Sequence, residues 1–136
     1  MPGRWFRRRR EVPRDAGAGE RAGGLFDGGN NCAQAVLQAT TGTEDKSLID
    51  AAKAFSGGIG DSGCLCGALA GGVMALGLAG QPKKAGRLME LFREGHPATC
   101  CKVLSRPFKW NSRDHLANCR RITAETAEIV DRLLRE

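Results

Sequence analysis

Apolar residues along most of the chain recur at helical spacing. In the first such stretch they fall three, four or seven positions apart, at Ala22, Leu25, Phe26, Cys32, Ala33, Val36 and Leu37. This pattern is typical of a helix with one apolar stripe. Gly28-Gly29 interrupts the run, and Asn30 or Asn31 can cap a fresh helix. We therefore expect Cys32 in the first turn of a second helix.

The middle of the chain predicts two more helices. A short amphipathic segment follows Thr43 and ends at the glycine pair 57–58. Asp61 or Ser62 can cap the next helix, which we expect from about Gly63 to Ala79. That helix is apolar on every side, which indicates burial in protein or in lipid. Residues 62–81 hold no charge, but their glycines and cysteines would make a poor lipid-facing surface, so we favour burial in protein.

The C-terminal part of the chain continues the helical pattern. Pro82 fits the first turn of a helix that ends near Gly95. Arg106-Pro107 breaks a short segment, and Ser112 with Asp114 opens the final helix. Because no run alternates with a period of two, the sequence predicts an all-α protein, a compact bundle of four to five helices.

The charge of the chain is concentrated at its N-terminus. The formal net charge is +6, but residues 1–14 alone hold six Arg and one Glu. We interpret residues 1–19 as a flexible Arg-rich leader, and residues 20–136 as a single helical domain. The basic composition therefore says little about the partners of the folded body.

The chain contains six cysteines, at positions 32, 64, 66, 100, 101 and 119. Their share is below the roughly 8 to 10% that marks a secreted scaffold built from disulfides. No apolar segment follows the Arg cluster, so no export signal is complete. We expect a cytoplasmic location, where a group of thiols more often serves metal or redox chemistry than structural bridging.

Five of the cysteines are predicted at or within about one turn of a helix start, namely Cys32, Cys64, Cys66, Cys100 and Cys101. Unpaired backbone N–H groups and the positive end of the helix dipole stabilise a thiolate at that position. Thiolates are both the nucleophiles and the metal ligands among cysteines. Cys119 differs because it lies on the apolar stripe of the last helix, where a free cysteine is commonly a core residue.

The local spacing of the cysteines excludes some sites. No Cys-x-x-Cys is present, so the sequence does not support a thioredoxin-like dithiol, a c-type haem attachment or a zinc ribbon. We expect the adjacent Cys100 and Cys101 to point in different directions, because a vicinal disulfide is strained. His115 lies four residues before Cys119, which puts both side chains on one helix face. His96 has the same spacing to Cys100, but Pro97 places it outside a helix.

One glycine-rich segment combines a cysteine with small residues. Cys66 is followed by Gly67-Ala68-Leu69-Ala70-Gly71-Gly72, in which small residues recur three and four positions apart. Such glycines allow another helix, or a bound group, to approach the backbone closely. Close packing and a ligand site both remain open from the sequence.

These motifs together resemble a known family. Cys66-Gly67-Ala68-Leu69-Ala70-Gly71 fits a CGAxxG motif, with Gly57-Gly58-Ile59-Gly60 before it and Asn31-Cys32-Ala33-Gln34-Ala35 upstream. The pattern is similar to the C_GCAxxG_C_C family of redox-active proteins over about residues 21–135. The resemblance assigns the four family cysteines to Cys32, Cys66, Cys101 and Cys119. It leaves Cys64, Cys100 and the leader outside the family pattern.

The first functional hypothesis is cysteine-based redox chemistry, by thiol–disulfide exchange or electron transfer. Cys66 is the nucleophile candidate because it lies at a glycine-lined helix start, where we expect a lowered pKa. Cys32 or Cys64 would be the resolving thiol. This would make the protein oxidoreductase-like, although the sequence identifies neither the redox partner nor the oligomeric state.

Two alternatives use other chemistry. The four family cysteines, Cys32, Cys66, Cys101 and Cys119, could bind an iron-sulfur cluster or, as the weaker choice, zinc, since soft thiolate ligands favour both. The other alternative is an adaptor that binds an acidic partner through its Arg-rich leader. That partner would be nucleic acid or an anionic lipid surface, and we favour neither, because only Trp5 and Phe6 interleave the basic residues.

Overall fold

The computed structural model describes residues 16–136, and within this range the protein is all-α, as predicted. It has seven α-helices in these residues rather than the four to five expected. They are α1 (Ala18–Asp27), α2 (Cys32–Thr41), α3 (Lys46–Ala52), α4 (Gly67–Leu78), α5 (Ala85–Gly95), α6 (Cys101–Leu104) and α7 (Arg113–Arg135). Short 3-10 turns cover Lys53–Phe55, Ile59–Asp61 and Pro82–Lys84.

The predicted helix starts are confirmed where a local cap defines them. The Asn31 side chain accepts a hydrogen bond from the Gln34 N–H, and the Gln34 side chain accepts one from the Asn31 N–H, which completes a capping box before α2. Ser112 caps α7 in the same way, by accepting from the N–H of His115. Asp45 caps α3 by accepting from the N–H of Ser47. Capping depends on neighbouring residues alone, so the sequence is sufficient to find it.

The prediction of a helix from Gly63 is wrong, because α4 begins only at Gly67. Residues 59–61 form a 3-10 turn instead, and the backbone φ is positive at Gly60, Asp61 and Gly63. These left-handed residues cannot continue an α-helix. Cys64 consequently lies in a loop before α4, and Cys66 becomes the N-cap of α4.

Helix α4 is central, and its glycines allow α2 to pack directly on its backbone. A Cβ at Gly71 would lie 2.3 Å from the Ala33 carbonyl oxygen and 2.8 Å from the Ala33 Cα. The sequence left open whether these glycines accommodate a second helix or a bound group. At Gly71 they accommodate the backbone of α2. On the opposite side, Leu88 of α5 and Val130 of α7 cover Gly72. None of the helices in residues 16–136 is both long and apolar enough to cross a bilayer.

The N-terminal helix packs against α7 and belongs to the folded body. α1 begins at Ala18, which is buried, so two residues that the sequence assigned to the leader are helical. The Gly19 N–H donates a 2.7 Å hydrogen bond to the Glu128 carboxylate on α7. Residues 1–15 of the Arg-rich leader lie outside the described residues, and the adaptor function predicted for the leader rests on these residues.

Candidate functional site

The helices bring together the four cysteines that the family pattern selects. Cys32 is the first residue of α2, Cys66 caps α4, Cys101 is the first residue of α6, and Cys119 lies in the interior of α7. All four are free thiols, and Cys66 is buried while the other three are partly buried. The predicted placement of Cys32, Cys66 and Cys101 at helix starts is confirmed. We refer to these four residues as the four-cysteine cluster.

Two distant chain segments meet at a junction that positions Cys66 beside Cys101. The Cys66 N–H donates to the Thr99 carbonyl at 2.7 Å, and the Lys102 N–H donates to the Gly63 carbonyl at 2.8 Å. These hydrogen bonds align the loop before α4 with the start of α6. The Cys101 thiol also lies 3.9 Å from the Leu65 carbonyl oxygen.

The absence of a side chain at Gly67 brings Cys32 to the same place. A Cβ at Gly67 would lie 3.3 Å from the Cys32 Cβ and 2.8 Å from the Phe55 carbonyl oxygen. The latter distance is shorter than a real Cβ contact, so any larger residue would push α2 or the Phe55 turn away from α4. Gly67 therefore sets how closely the Cys32 thiol approaches the start of α4.

Cys66 and Cys101 form the first thiol pair. A hydrogen bond from Cys66 is the largest influence on Cys101, and it lowers the pKa of Cys101 to about 7 despite partial burial. The backbone N–H groups of Gly67 and Cys101 act in the same direction. The pKa of Cys66 is raised well above its ordinary value, because its thiol donates to Cys101, is buried and faces the charge of Cys101. At neutral pH, Cys101 is the thiolate of this pair.

Cys32 and Cys119 form the second thiol pair with the same asymmetry. Hydrogen bonding from Cys119 lowers the pKa of Cys32 and outweighs the effect of burial, while the Thr123 hydroxyl and the Cys32 backbone N–H add to it. The pKa of Cys119 is raised by that hydrogen bond, by burial and by the charges of Cys32 and Cys101, and is lowered slightly by the Ser105 hydroxyl. Cys32 is thus the thiolate partner and Cys119 the proton-bearing partner.

The Thr123 hydroxyl is an unusual neighbour of Cys32. It is buried and forms no hydrogen bond in the structure, yet it lies close enough to Cys32 to lower the pKa of that thiol. An unpaired buried hydroxyl costs free energy, whereas a thiolate at Cys32 would accept its proton. The orphaned hydroxyl therefore favours the ionised form of Cys32.

His115 extends the second pair on the side of α7. The Asn111 N–H donates to His115 Nδ1 at 2.9 Å, and burial lowers the pKa of His115, so its ring is neutral with the proton on Nε2. Nε2 lies 3.5 Å from the Cys119 Sγ and can donate to it. The expected contact between His115 and Cys119 across one helical turn is confirmed. A continuous series of donors thus leads from Asn111 through His115 and Cys119 to Cys32.

The two thiol pairs interact electrostatically. Negative charge on Cys101 raises the pKa values of Cys32 and Cys119, and negative charge on Cys32 raises that of Cys66. Like charges in one low-dielectric site disfavour each other. Ionisation or oxidation of one pair therefore changes the reactivity of the other, and the cluster acts as one unit.

The two remaining cysteines are bonded to each other. Cys64 and Cys100 form a disulfide, which we call the outer disulfide. The expectation that Cys100 and Cys101 do not bond to each other is confirmed. The suggestion that Cys64 could act as a free resolving thiol does not fit this state, because its sulfur is already in a bond.

The nucleophile expected from the sequence has the opposite pKa shift. A helix start was expected to lower the pKa of Cys66, and the Leu69 N–H does act in that direction. Burial and the hydrogen bond to Cys101 are stronger, so the pKa of Cys66 rises instead. The lowered pKa belongs to its partner Cys101, which the sequence had placed only among the ligand candidates.

The arrangement of side chains in residues 16–136 forms no group of three or more Cys, His, Asp or Glu that could hold one metal ion. The four thiols have the soft-donor chemistry of an iron-sulfur or zinc site, but as placed they do not fit one. His96, which lies four residues before Cys100 in the chain, pairs with Glu125, with 3.0 Å between His96 Nε2 and the carboxylate.

Sequence reasoning missed two residues that contact the cluster. Thr123 lies four residues after Cys119 on α7, and Ser105 lies four residues after Cys101. A spacing of four places two side chains on one face of a helix. The series His115, Cys119 and Thr123 could therefore have been found as a stripe, whereas the contact of Ser105 with Cys119 depends on how α6 meets α7.

Comparison with known proteins agrees with this selection of cysteines. Residues 30–133 match the family model described as "Putative redox-active protein (C_GCAxxG_C_C)". The match begins just before the cap of α2 and ends near the C-terminus of α7, so it contains the complete four-cysteine cluster. No curated protein and no solved structure matches the chain.

Proposed function

The chain belongs to the C_GCAxxG_C_C family, and from this premise we propose that it is a thiol–disulfide redox protein that works through the four-cysteine cluster. The observation that carries the proposal is the grouping of four free cysteines into two pairs, Cys66 with Cys101 and Cys32 with Cys119. In each pair one thiol has a lowered pKa and its partner a raised one. This is the division that a nucleophile and a proton-bearing resolving thiol require.

Cys101 is the nucleophile of the first pair. With its pKa at about 7 it is substantially ionised at neutral pH, and it is partly exposed, whereas Cys66 is buried. Its thiolate attacks one sulfur of a disulfide RSSR, a bond to that sulfur forms, and one RS⁻ leaves. Cys66 then loses its proton and attacks the Cys101 sulfur, which releases the second RS⁻. The protein dithiol is oxidised to a disulfide, and RSSR is reduced to two thiols.

Cys32 and Cys119 provide a second dithiol of the same kind. Cys32 would act as the nucleophile toward a Cys66–Cys101 disulfide, and Cys119 as the resolving thiol, so that two electrons pass from one pair to the other. The charge interactions between the pairs support such an exchange, since they require the thiols to be near one another. The orphaned Thr123 hydroxyl would help to hold the Cys32 thiolate before it attacks.

Disulfide mapping at controlled redox potential tests the proposal. The reduced protein is equilibrated with ratios of reduced and oxidised dithiothreitol, free thiols are alkylated, and the peptides are identified by mass spectrometry. We expect Cys66–Cys101 and Cys32–Cys119 bonds to form reversibly. Cys119→Ser should prevent the second bond and leave the first intact. If neither pair oxidises reversibly, or if bonds form at random among the four cysteines, the proposal is wrong.

The iron-sulfur or zinc alternative predicts a different result from the same protein. Four thiolates from separate helices supply suitable ligand chemistry, although the cluster would have to rearrange to bind one ion or group. Anaerobic purification with metal and sulfide analysis decides between the two. Stoichiometric iron with sulfide, or stoichiometric zinc, that is lost in Cys32→Ser and Cys66→Ser would favour the alternative. A colourless, metal-free protein with titratable thiols would favour dithiol exchange.

A further inference from the structure

A solvent-open cleft lies beside the outer disulfide. It has a volume of about 340 Å³ and is lined by Asp61, Ser62, Gly63, Lys102, Ser105, Arg106, Phe108 and Trp110. This volume falls in the lower part of the range of roughly 300–1,000 Å³ that small-molecule sites occupy. We call it the charged cleft. It is separate from the two thiol pairs, although Ser105 contacts both the cleft and Cys119.

The cleft and the outer disulfide share their walls. Gly63 of one wall directly precedes Cys64, and the Ser62 hydroxyl donates to the Cys64 carbonyl at 2.6 Å. Lys102 of the other wall lies two residues after Cys100, and its N–H is bonded to the Gly63 carbonyl. A ligand in the cleft therefore contacts residues that lie one or two positions from Cys64 and Cys100 in the chain, although neither cysteine lines the cleft itself. Cys64 is exposed and Cys100 only partly so, and on this ground we assign Cys64 as the end of the bond that a small thiol attacks.

The charges of the cleft favour an anion. Lys102 and Arg106 are exposed, and within residues 16–136 neither forms an ion pair with a carboxylate. Asp61 supplies one negative charge on the opposite wall. Two cations and one carboxylate match a molecule with two carboxylates and one ammonium group.

Trp110 gives the cleft an apolar wall. One face of its indole packs on the His115 ring, with 4.3 Å between ring centroids, while the side chain as a whole remains 48% exposed. A rigid, half-exposed aromatic ring is a common contact for the carbon skeleton of a small ligand. The same stacking also links the cleft to the donor series that ends at Cys32.

We infer that the charged cleft binds an anionic low-molecular-weight thiol, an amino-acid-like compound with two carboxylates and one ammonium group, which reduces the outer disulfide. This function goes beyond the four cysteines of the family and uses the two that the family pattern omits. It extends the proposed thiol chemistry to a second site without depending on it, since the reaction involves only Cys64, Cys100 and the small thiol.

The reaction proceeds in two exchange steps. The small thiol, as RS⁻, attacks the Cys64 sulfur, so that an R–S–S–Cys64 bond forms, the Cys64–Cys100 bond breaks, and Cys100 leaves as a thiolate. A second RS⁻ attacks the sulfur of R, which releases RSSR and the Cys64 thiolate. Two small thiols are oxidised to one disulfide, the protein disulfide is reduced to two thiols, and the protons of the small thiols end on Cys64 and Cys100. Lys102 and Arg106 attract the anionic thiol.

The test measures reduction of the outer disulfide alone, in the full-length oxidised protein. Glutathione serves as the anionic probe with two carboxylates and one ammonium, and 2-mercaptoethanol as the neutral one. Reaction is stopped by alkylation at successive times, and peptide mass spectrometry follows Cys64 and Cys100 separately from the other four cysteines. The variant is Lys102→Gln with Arg106→Gln, and the control is Lys83→Gln with Arg93→Gln, which removes the same charge outside the cleft.

We expect the rate with glutathione to fall about tenfold in the cleft variant, while the rate with 2-mercaptoethanol changes less than about twofold. The control should keep both rates, and added salt should slow only the reaction with glutathione. An equal fall for both thiols, an equal fall in the control, or no fall would overturn the inference. Alkylation of Cys64 and Cys100 before any thiol is added would also overturn the inference, because it would show that these two cysteines are not bonded to each other. None of these results bears on reversible oxidation of the two inner pairs, so the two proposals fail separately.

Discussion

Cys66 and Cys101 lie on opposite sides of one backbone junction, and their pKa values shift in opposite directions. The Cys66 thiol donates to Cys101, which lowers the pKa of Cys101 to about 7 and raises that of Cys66. The hydrogen bond from the Cys66 N–H to the Thr99 carbonyl holds the two segments together. Because the junction joins segments more than 30 residues apart, the reactivity of both thiols depends on the tertiary fold.

This relationship predicts how the two thiols titrate. In the reduced protein, Cys101 should be alkylated with a half-maximal rate near pH 7, because only its thiolate reacts and its pKa is about 7. The rate should rise as the pH rises through that value, whereas Cys66 should react only well above it. Cys66→Ala removes the donor and should raise the pKa of Cys101. Alkylation over a pH series, followed by peptide mass spectrometry, measures both, and a pKa of Cys101 above that of Cys66 would contradict the assignment.

The sequence was informative where structure depends on neighbouring residues. Asn31 and Ser112 were predicted as caps, and both are, because a cap is formed within about four residues. The assignment of Cys32 to a helix start follows from the Asn31 cap. The loop over residues 59–66 was not predicted, since Gly60, Asp61 and Gly63 take left-handed conformations and the Gly63 carbonyl accepts from the distant Lys102 N–H.

The chemistry of the site was predictable only in part. The family pattern identified the four cysteines, and the helix positions indicated which could form thiolates. The pairing could not be predicted, because it depends on which helix lies opposite each cysteine. Cys66 shows the consequence: the local dipole argument predicted a lowered pKa, but burial and the Cys101 partner, both tertiary effects, raise it.

The boundary of the domain can be tested by truncation. Removal of residues 1–15 should change the free energy of unfolding by less than about 0.5 kcal/mol, because their composition offers little apolar burial. Removal of residues 1–19 should cost about 1–3 kcal/mol, since it takes away buried Ala18 and the hydrogen bond from Gly19 to Glu128. Urea unfolding of both truncated proteins measures the difference. Equal stability of the two would show that α1 does not need its first turn.

The contact between α2 and α4 predicts opposite effects for two glycine substitutions in one helix. Gly71→Ala would place a Cβ 2.3 Å from the Ala33 carbonyl oxygen, and the strain should cost about 1–3 kcal/mol or more. Gly77→Ala meets nothing within 4 Å, and the gain in helix propensity should stabilise the protein by about 0.5–1 kcal/mol. Urea denaturation compares the two variants. If Gly71→Ala proved as stable as Gly77→Ala, the backbone contact of α2 with α4 would be refuted.

Thr123 and Thr126 provide the last test, because both are buried on α7 but only one hydroxyl has a partner. The Thr126 hydroxyl donates to the Ile122 carbonyl at 2.7 Å, whereas that of Thr123 has no hydrogen-bond partner. Thr123→Val should therefore stabilise the reduced protein at low pH by about 1 kcal/mol, since it removes an unpaired buried hydroxyl. Thr126→Val removes a formed hydrogen bond and should destabilise the protein by about 1 kcal/mol.

The same pair of variants separates the role of Thr123 in the site from its role in stability. Hydrogen bonding from Cys119 is the main cause of the lowered pKa of Cys32, and the Thr123 hydroxyl adds to it. Thr123→Val should therefore raise the pKa of Cys32 in an alkylation series and slow oxidation of the Cys32–Cys119 pair at neutral pH. Thr126→Val should leave that pKa unchanged, because its hydroxyl is bonded within its own helix. An unchanged pKa of Cys32 in Thr123→Val would mean that the hydroxyl does not act on the thiol and only fills space in the core.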